Sequence, residues 1–239
     1  MNSLCIGVVL SLLTASHSAP LTCEPLLKAV EKGPDLSGKW YVIAHSSDIC
    51  LIPLLVNTLL WTSFSMDFTE KTPPNTYTVV TAIKMFGYCV NDSDTIFYKT
   101  NTIFDVNSKN VTGEEPHVLL QSGCPDCIVI KDQDTPKNLL LLSRRKTVST
   151  AEVKEFETQA QCLGWSKPQV FNNDDGFDNC KWLEDDDVDV DFEGIYVKMT
   201  QRLKKASKEI KKCVWDFFLT YLPSLIDDDY LSFIKNAFM

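Results

Sequence analysis

The sequence predicts a mainly β fold, a sandwich or a closed barrel, with one α-helix packed outside it. Three observations support this prediction: short segments that alternate apolar and polar side chains, turn residues between them, and a single change to helical periodicity after residue 145. Successive side chains of a strand point to opposite faces, so alternation is typical of a sheet with one face in the core. One helix after a long run of strands favours a single closed barrel.

The predicted strands lie between residues 38 and 142 and are rich in β-branched and aromatic side chains, which fit a pleated sheet. They span residues 38–44, 60–68, 77–84, 95–100, 117–121, 127–130 and 138–142. A capping-box sequence then begins a helix, with Ser149 or Thr150 as N-cap and Glu152 as its partner. We expect this helix to end near Gly164.

Alternation also predicts which side chains face the inside of a barrel. If Lys84 and Lys131 point to solvent, side chains of the other parity point inward. The candidate ligand-contacting residues are Phe64, Met66, Tyr77, Val79, Thr81, Ile83, Met85, Ile128 and Ile130. An apolar cavity with a few polar groups is typical of a small-molecule site. Ordinary barrel core is an equally good interpretation of each residue.

Composition and charge restrict the class of protein. The chain has 239 residues, of which 44% are hydrophobic and 23% are charged, and these are globular proportions. The net charge of −9 argues against a general nucleic-acid binder, because neutralising phosphates needs a basic face. The nine cysteines indicate an oxidising compartment.

The N-terminus predicts export from the cell. An apolar run at residues 5–13 is followed by small residues, which is typical of a secretory signal covering residues 1–18, with cleavage after Ser18. A membrane anchor is disfavoured because the run is shorter than the ~20 residues of a span. The triplets that begin at Asn91 and Asn110 are glycosylation acceptors. We therefore expect a glycoprotein secreted into a plasma-like extracellular fluid.

Two short motifs resemble a known family. Gly38-Lys39-Trp40 resembles the G-x-W signature that opens the first strand of lipocalins, and a basic pair, Arg144-Arg145, ends the last predicted strand. Lipocalins place a basic side chain there, across the Trp, and a guanidinium stacks well on an indole. Counting back from Cys162 favours Arg145, with Arg144 as the close alternative. The resemblance implies an eight-stranded antiparallel up-and-down lipocalin barrel with one packed α-helix, a floor of Gly38, Trp40 and Arg145, and a small hydrophobic or amphiphilic ligand.

The cysteines extend this resemblance over about residues 20–183. Their positions resemble those of the alpha-1-acid glycoprotein (orosomucoid) family, whose fish relatives include tributyltin-binding and saxitoxin- or tetrodotoxin-binding proteins. The resemblance implies bridges between Cys23 and Cys162 and between Cys89 and Cys180. It also implies a carrier or scavenger of lipids, steroids, toxins or xenobiotics.

Two cysteine motifs have catalytic interpretations. Cys124-x-x-Cys127 matches a thiol–disulfide redox motif, but strand signals flank it, so a structural link in a hairpin turn is favoured. Cys50 is the candidate for the nucleophile of the prostaglandin synthase branch of lipocalins, but it falls in the mouth loop and not on the second strand, where that nucleophile would sit. Its alternatives are a bridge to Cys213 or an unpaired thiol. The sequence shows no Ser-His-Asp set, phosphate loop or metal-ligand cluster. We therefore expect no enzyme activity, no cofactor and no metal.

The C-terminal part departs from the family. Residues 184–194 form an acidic linker between a lipocalin domain at residues 19–183 and an amphipathic helical tail at residues 195–239. Within residues 195–222 an apolar stripe has heptad-like spacing. The stripe consists of Met199, Leu203, Ala206, Ile210, Cys213 and Phe217. It fits the protein's own barrel, a second copy or a lipid surface, and the first two are favoured. The alternative function is an interaction or membrane-surface protein that acts through this basic helix.

Overall fold

The computed structural model describes residues 22–60, 63–106, 116–133, 135–173, 177, 180–184 and 188–221. The predicted signal at residues 1–18, the acceptor Asn110 and the last residues of the predicted tail lie outside these ranges.

Eight antiparallel strands form a closed barrel. Each strand pairs with the next one along the chain, and the eighth pairs with the first. The strands are β1 (Gly38–Ser47), β2 (Ser63–Lys71), β3 (Thr76–Met85), β4 (Tyr88–Lys99), β5 (Thr102–Asp105), β6 (His117–Leu120), β7 (Cys127–Lys131) and β8 (Asn138–Ser143). The predicted mainly β, up-and-down barrel is confirmed.

Helices and two short strands lie outside this circuit. The helices are α1 (Cys23–Leu26), α2 (Leu51–Leu55, continued by a π-helical turn at Val56–Leu60), α3 (Thr150–Cys162) and α4 (Phe192–Tyr221). The strand β9 (Gln169–Val170) pairs with β1, and β10 (Lys181–Trp182) runs parallel to β4. The capping box of α3 forms as predicted, with Ser149 as N-cap and Glu152 as its partner. None of the described helices is long and apolar enough to cross a membrane.

The barrel wall has apolar residues on both faces. Leu140 and Leu142 of β8 pack inside the barrel, whereas Leu139 and Leu141 pack outside in a cluster with Phe156 of α3. Leu139, Leu141 and Leu142 are buried and Leu140 is partly buried, which explains why every residue of this stretch of β8 is apolar. The alternation of β8 therefore separates the barrel interior from the interface with α3.

The segment before β1 closes one end of the barrel. Its backbone bonds to the barrel wall: the Val30 amide donates to the Leu119 carbonyl at 3.0 Å, and the Gly33 amide donates to the Thr100 carbonyl at 2.7 Å. The Tyr98 hydroxyl donates to the Pro34 carbonyl at 3.1 Å. Burial raises the pKa of Tyr98 to about 12, so this hydroxyl remains a donor at neutral pH.

The described residues form four disulfides: Cys23–Cys162, Cys50–Cys213, Cys89–Cys180 and Cys124–Cys127. The first three join distant parts of the chain, whereas the fourth closes a short turn. The first and third are the pairings that the orosomucoid resemblance implies. Cys50 is bonded to Cys213 and therefore has no free thiol. The interpretation of Cys50 as the nucleophile of a prostaglandin synthase is therefore wrong. Cys124 and Cys127 close the turn before β7, and neither residue belongs to a helix, as expected of a structural link.

The C-terminal helix packs on the connection between β1 and β2 of its own chain. It begins inside the predicted linker because the Asp191 carboxylate accepts the Gly194 amide at 2.8 Å and caps the first turn. The apolar stripe is partly or fully buried from Met199 to Cys213, whereas Phe217 stays exposed. Cys213 ties the helix to the segment between β1 and β2, and the Arg202 guanidinium lies 4.7 Å from the Phe86 ring centroid after β3. Both connections lie at the open end of the barrel.

Candidate ligand cavity

An indole and a guanidinium close the floor of the barrel. Trp40 is 3% exposed, and its Nε1 donates to the Leu36 carbonyl at 2.8 Å. The Arg144 guanidinium lies 3.9 Å from the indole centroid and donates to the carbonyls of Lys39 and Asp35 at 3.2 and 3.1 Å. The stack and these two bonds hold the first strand, the entering segment and the end of β8 together.

The predicted role of Arg145 in this floor is wrong. Arg145 faces outward and pairs with Asp126 at 3.0 Å and with Glu152 at 2.7 Å. The bond from Arg145, together with those from Ser149, lowers the pKa of Glu152 to about 2. Leu140 and Leu142 point inward, so the same parity places Arg144 inside. The alternation of side chains along β8 could already be extended to Arg144 from the sequence. A count of residues back from Cys162, in contrast, does not tell which face of the strand a side chain occupies.

Gly38 is required by the floor for two reasons. Its φ of +86° belongs to the left-handed region, which glycine enters without strain. A Cβ built there would also lie 3.2 Å from Nη1 of Arg144, which is tighter than ordinary contact. The glycine of the G-x-W motif therefore lets the strand begin directly beside the guanidinium.

Above the floor, the barrel encloses a cavity of about 300 Å³. This volume is at the lower end of the range of small-molecule sites. The lining residues are Val42, Val56, Phe64, Met66, Leu140 and Phe171, which are apolar, and His45, Thr81, Asp132 and Asn138, which are polar. Val56 comes from the connection between β1 and β2, which contributes a wall at the open end.

Phe171 enters the barrel through a gap between two strands. The β1–β2 pairing runs from Gly38 to Tyr41, and beyond it the segment after α3 runs alongside β1. The Phe171 amide donates to the Ile43 carbonyl at 2.9 Å, and the Ser63 hydroxyl donates to the Asn172 carbonyl at 2.6 Å. The Phe171 ring meets Phe64 edge to face, with centroids 5.2 Å apart. Sequence reasoning missed this residue, because it lies among loop-forming residues far from β1.

The structure distributes the predicted interior residues along the barrel. Phe64, Met66 and Thr81 line the cavity. Tyr77, Val79, Ile128 and Ile130 belong to the buried cluster inside the barrel. Ile83 and Met85 are half-buried and do not line the cavity. Met85 lies beyond the first residue of β2, so no β2 residue pairs with it. The predicted parity of β2, β3 and β7 therefore brings seven of the nine residues to the interior.

A chain of polar side chains follows the open rim across five strands. Nε2 of His45 donates to Oδ1 of Asn138 at 2.9 Å, and Nδ2 of Asn138 donates to Asp132 at 3.3 Å. His117 continues the chain, with its ring nitrogens 3.1 Å from Asp132 and 3.2 Å from Asp105. Three members, His45, Asn138 and Asp132, line the cavity. The cavity therefore pairs an apolar wall with hydrogen-bonding groups at its mouth.

We expect His45 to make the folded protein less stable in mild acid. Burial lowers the pKa of His45 below its usual 6.5, because the cavity wall disfavours the charged ring. As pH falls through 6.5 the unfolded chain takes up a proton that the folded chain does not, so the free energy of unfolding decreases. Urea titrations at about pH 7.5 and 5.5, above the usual carboxylate range, measure this effect. An equal decrease in His45→Gln would contradict the assignment.

Of the two predicted glycosylation acceptors, one lies within the described residues and the other does not. Asn91 lies in β4 with an exposed side chain, opposite Ala82 of β3, whereas Asn110 is outside the description. Within the described ranges, no group of three or more His, Cys, Asp and Glu side chains is arranged to hold a metal ion.

The closed barrel, its capped floor and its apolar cavity define a lipocalin-type binding protein. Residues 7–182 match the model of the ApoM domain, a lipocalin family, and the chain therefore belongs to this family. Among solved structures, the chain is similar to the siderocalin Ex-FABP, described as functioning through dual ligand specificities. The identity is 16% and the TM-score 0.46, over 56% of this chain and 92% of that one. No curated protein matches the chain.

Proposed function

We propose that this chain is a secreted carrier or scavenger that binds a small hydrophobic or amphiphilic molecule inside its barrel. The observation that carries the proposal is the cavity of about 300 Å³, which is lined by six apolar side chains, by three polar side chains at the open rim and by Thr81 of β3. Burying apolar ligand surface is worth about 25 cal/mol per Å². The polar groups then orient the end of the ligand that stays near solvent.

Several features support the finer parts of this proposal. Four disulfides fit an extracellular protein, in agreement with removal of residues 1–18 as a signal and with a carrier domain at residues 19–183. The Cys23–Cys162 and Cys89–Cys180 bridges support a placement near alpha-1-acid glycoprotein and its fish relatives. The exposed Asn91 is accessible for a glycan.

A pair of variants on one strand tests the site. Thr81 lines the cavity, and its neighbour Val80 points to the other face of β3. We expect Thr81→Trp to weaken binding by roughly 10-fold or more, because the indole fills space that the ligand needs, and we expect Val80→Trp to bind normally. Displacement of an anilinonaphthalene sulfonate probe by fatty acids, steroids and amphiphilic amines measures the affinity.

Two results would contradict the proposal. A folded wild-type protein that binds no member of this panel is not a carrier of such ligands. Equal loss of affinity in the Thr81 and Val80 variants would place the ligand outside the barrel.

A further inference from the structure

The outer face of α4 carries a ridge of lysines. The lysine ridge consists of Lys204, Lys205, Lys208, Lys211 and Lys212, and all five side chains are exposed. Their spacing of three and four residues places them on one side of the helix, opposite the stripe that begins at Met199. At a rise of 1.5 Å per residue, the ridge is about 12 Å long. None of the five forms an ion pair with another described residue, although Glu209 lies within the same stretch.

We propose that the lysine ridge binds a sulfated polysaccharide. The helix has seven basic and three acidic side chains and is therefore positive, whereas the whole chain has a net charge of −9. Like charges three and four residues apart destabilise a helix until an anion neutralises them. A linear polyanion with sulfates along its length supplies such charges over the whole ridge at once.

The lysine ridge lies on a helix that is anchored to the rest of the protein at both ends. The Cys50–Cys213 bridge fixes the C-terminal half of the helix to the β1–β2 connection. At the other end, the Tyr88 hydroxyl accepts the Asp191 amide at 2.9 Å, and Arg202 covers the Phe86 ring. A preorganised surface loses little conformational entropy on binding. The anchored helix therefore presents its lysines as a fixed array.

The same packing disfavours a lipid surface as the partner. An interfacial helix binds a membrane by inserting its apolar face. Here that face is turned toward the protein, with Cys213 buried and Met199, Leu203 and Ile210 partly buried. The exposed aromatic residues of the helix lie toward its two ends, outside the lysine run: Phe192, Tyr196, Phe217 and Phe218. The ridge thus offers charge without apolar area, which suits a soluble polyanion.

Two variants with the same change in charge test the proposal. The first replaces Lys204, Lys205, Lys208 and Lys211 with glutamine. The control replaces four exposed lysines from the closed end of the barrel, Lys32, Lys71, Lys99 and Lys146. Calorimetry with a heparin oligosaccharide measures affinity at several salt concentrations, and vesicles of phosphatidylcholine and phosphatidylserine are the comparison.

We expect the wild type and the control to bind heparin within about threefold of each other, and the ridge variant to bind roughly 10- to 100-fold more weakly. By analogy with single-stranded nucleic acids, the slope of log affinity against log salt should fall by about 3 when four lysines are lost. Protection of the five lysines from acetylation by bound heparin, in the wild-type protein, gives a second measurement that needs no variant.

Three results would overturn the proposal. One is a wild-type protein that does not bind heparin at low salt. Another is an equal loss of affinity in the control, which would show attraction to total charge only. The last is salt-sensitive binding to the anionic vesicles without binding to heparin, which would assign the ridge to a membrane surface.

Discussion

Replacing Cys23 and Cys162 together with alanine should lower the free energy of unfolding by about 2–5 kcal/mol. The bridge joins residues 139 positions apart, and Cys23 is exposed, so little buried area is lost with it. Its effect is expected to come from the unfolded chain, whose conformational freedom increases when a long loop is opened. The m-value for urea should therefore rise, because the unfolded state exposes more surface.

The folded state should survive this change, because other contacts hold the N-terminal segment. Nε2 of Gln159 donates to the carbonyls of Leu26 and Gln121 at 2.9 and 2.7 Å, and the Gln121 amide donates to the Lys28 carbonyl at 2.9 Å. We expect a native circular dichroism spectrum and unchanged ligand affinity in the double variant.

The bridge between Cys124 and Cys127 provides a control, because its residues are only three positions apart. Opening so short a loop should cost about 2 kcal/mol or less in chain entropy. Equal unfolding free energies and equal m-values for the two double variants would contradict an unfolded-state effect. A Cys23–Cys162 variant that fails to fold would show instead that the bridge is needed to position the N-terminal segment.

The side chains that face the inside of the barrel could be predicted where the residue pattern of a single strand determines their direction. Alternation along β2 and β3 placed Phe64, Met66 and Thr81 on the face that lines the cavity. The amphipathic period of the tail likewise identified the packed stripe from Met199 to Cys213. In each case the side chains of one element, with no partner specified, determine which face avoids water.

Other features depend on contacts between distant residues and were missed. Phe171 reaches the cavity because β2 leaves β1 after Tyr41, and no local pattern near residue 171 indicates such a gap. The polar rim joins side chains at strand ends, such as His45 and Asn138, which become neighbours only once the barrel closes. The first half of β4, with polar residues such as Asn91, was also missed, because its pairing with β3 uses backbone bonds.

Replacing Trp40 with alanine should destabilise the barrel by about 3–5 kcal/mol, because it leaves a cavity at the floor. The change removes a buried indole and its bond to the Leu36 carbonyl, and it exposes one face of Arg144. We expect Arg144→Ala to cost about 1–3 kcal/mol, since the cation–π contact and two bonds to carbonyls are lost. Urea titrations at neutral pH measure both losses.

Replacement of the neighbouring Arg145 is a control, because it removes one positive charge without removing the stack on Trp40. Arg145→Ala removes the same charge one residue along. It breaks the partly exposed pairs with Asp126 and Glu152, which are worth little, and a contact with Sγ of Cys124. In a double-mutant cycle, the effects of Trp40→Ala and Arg144→Ala should fall short of additive by about 1 kcal/mol, whereas those of Trp40→Ala and Arg145→Ala should add. Coupling of Trp40 to Arg145 rather than to Arg144 would return Arg145 to the floor and refute the stacking seen here.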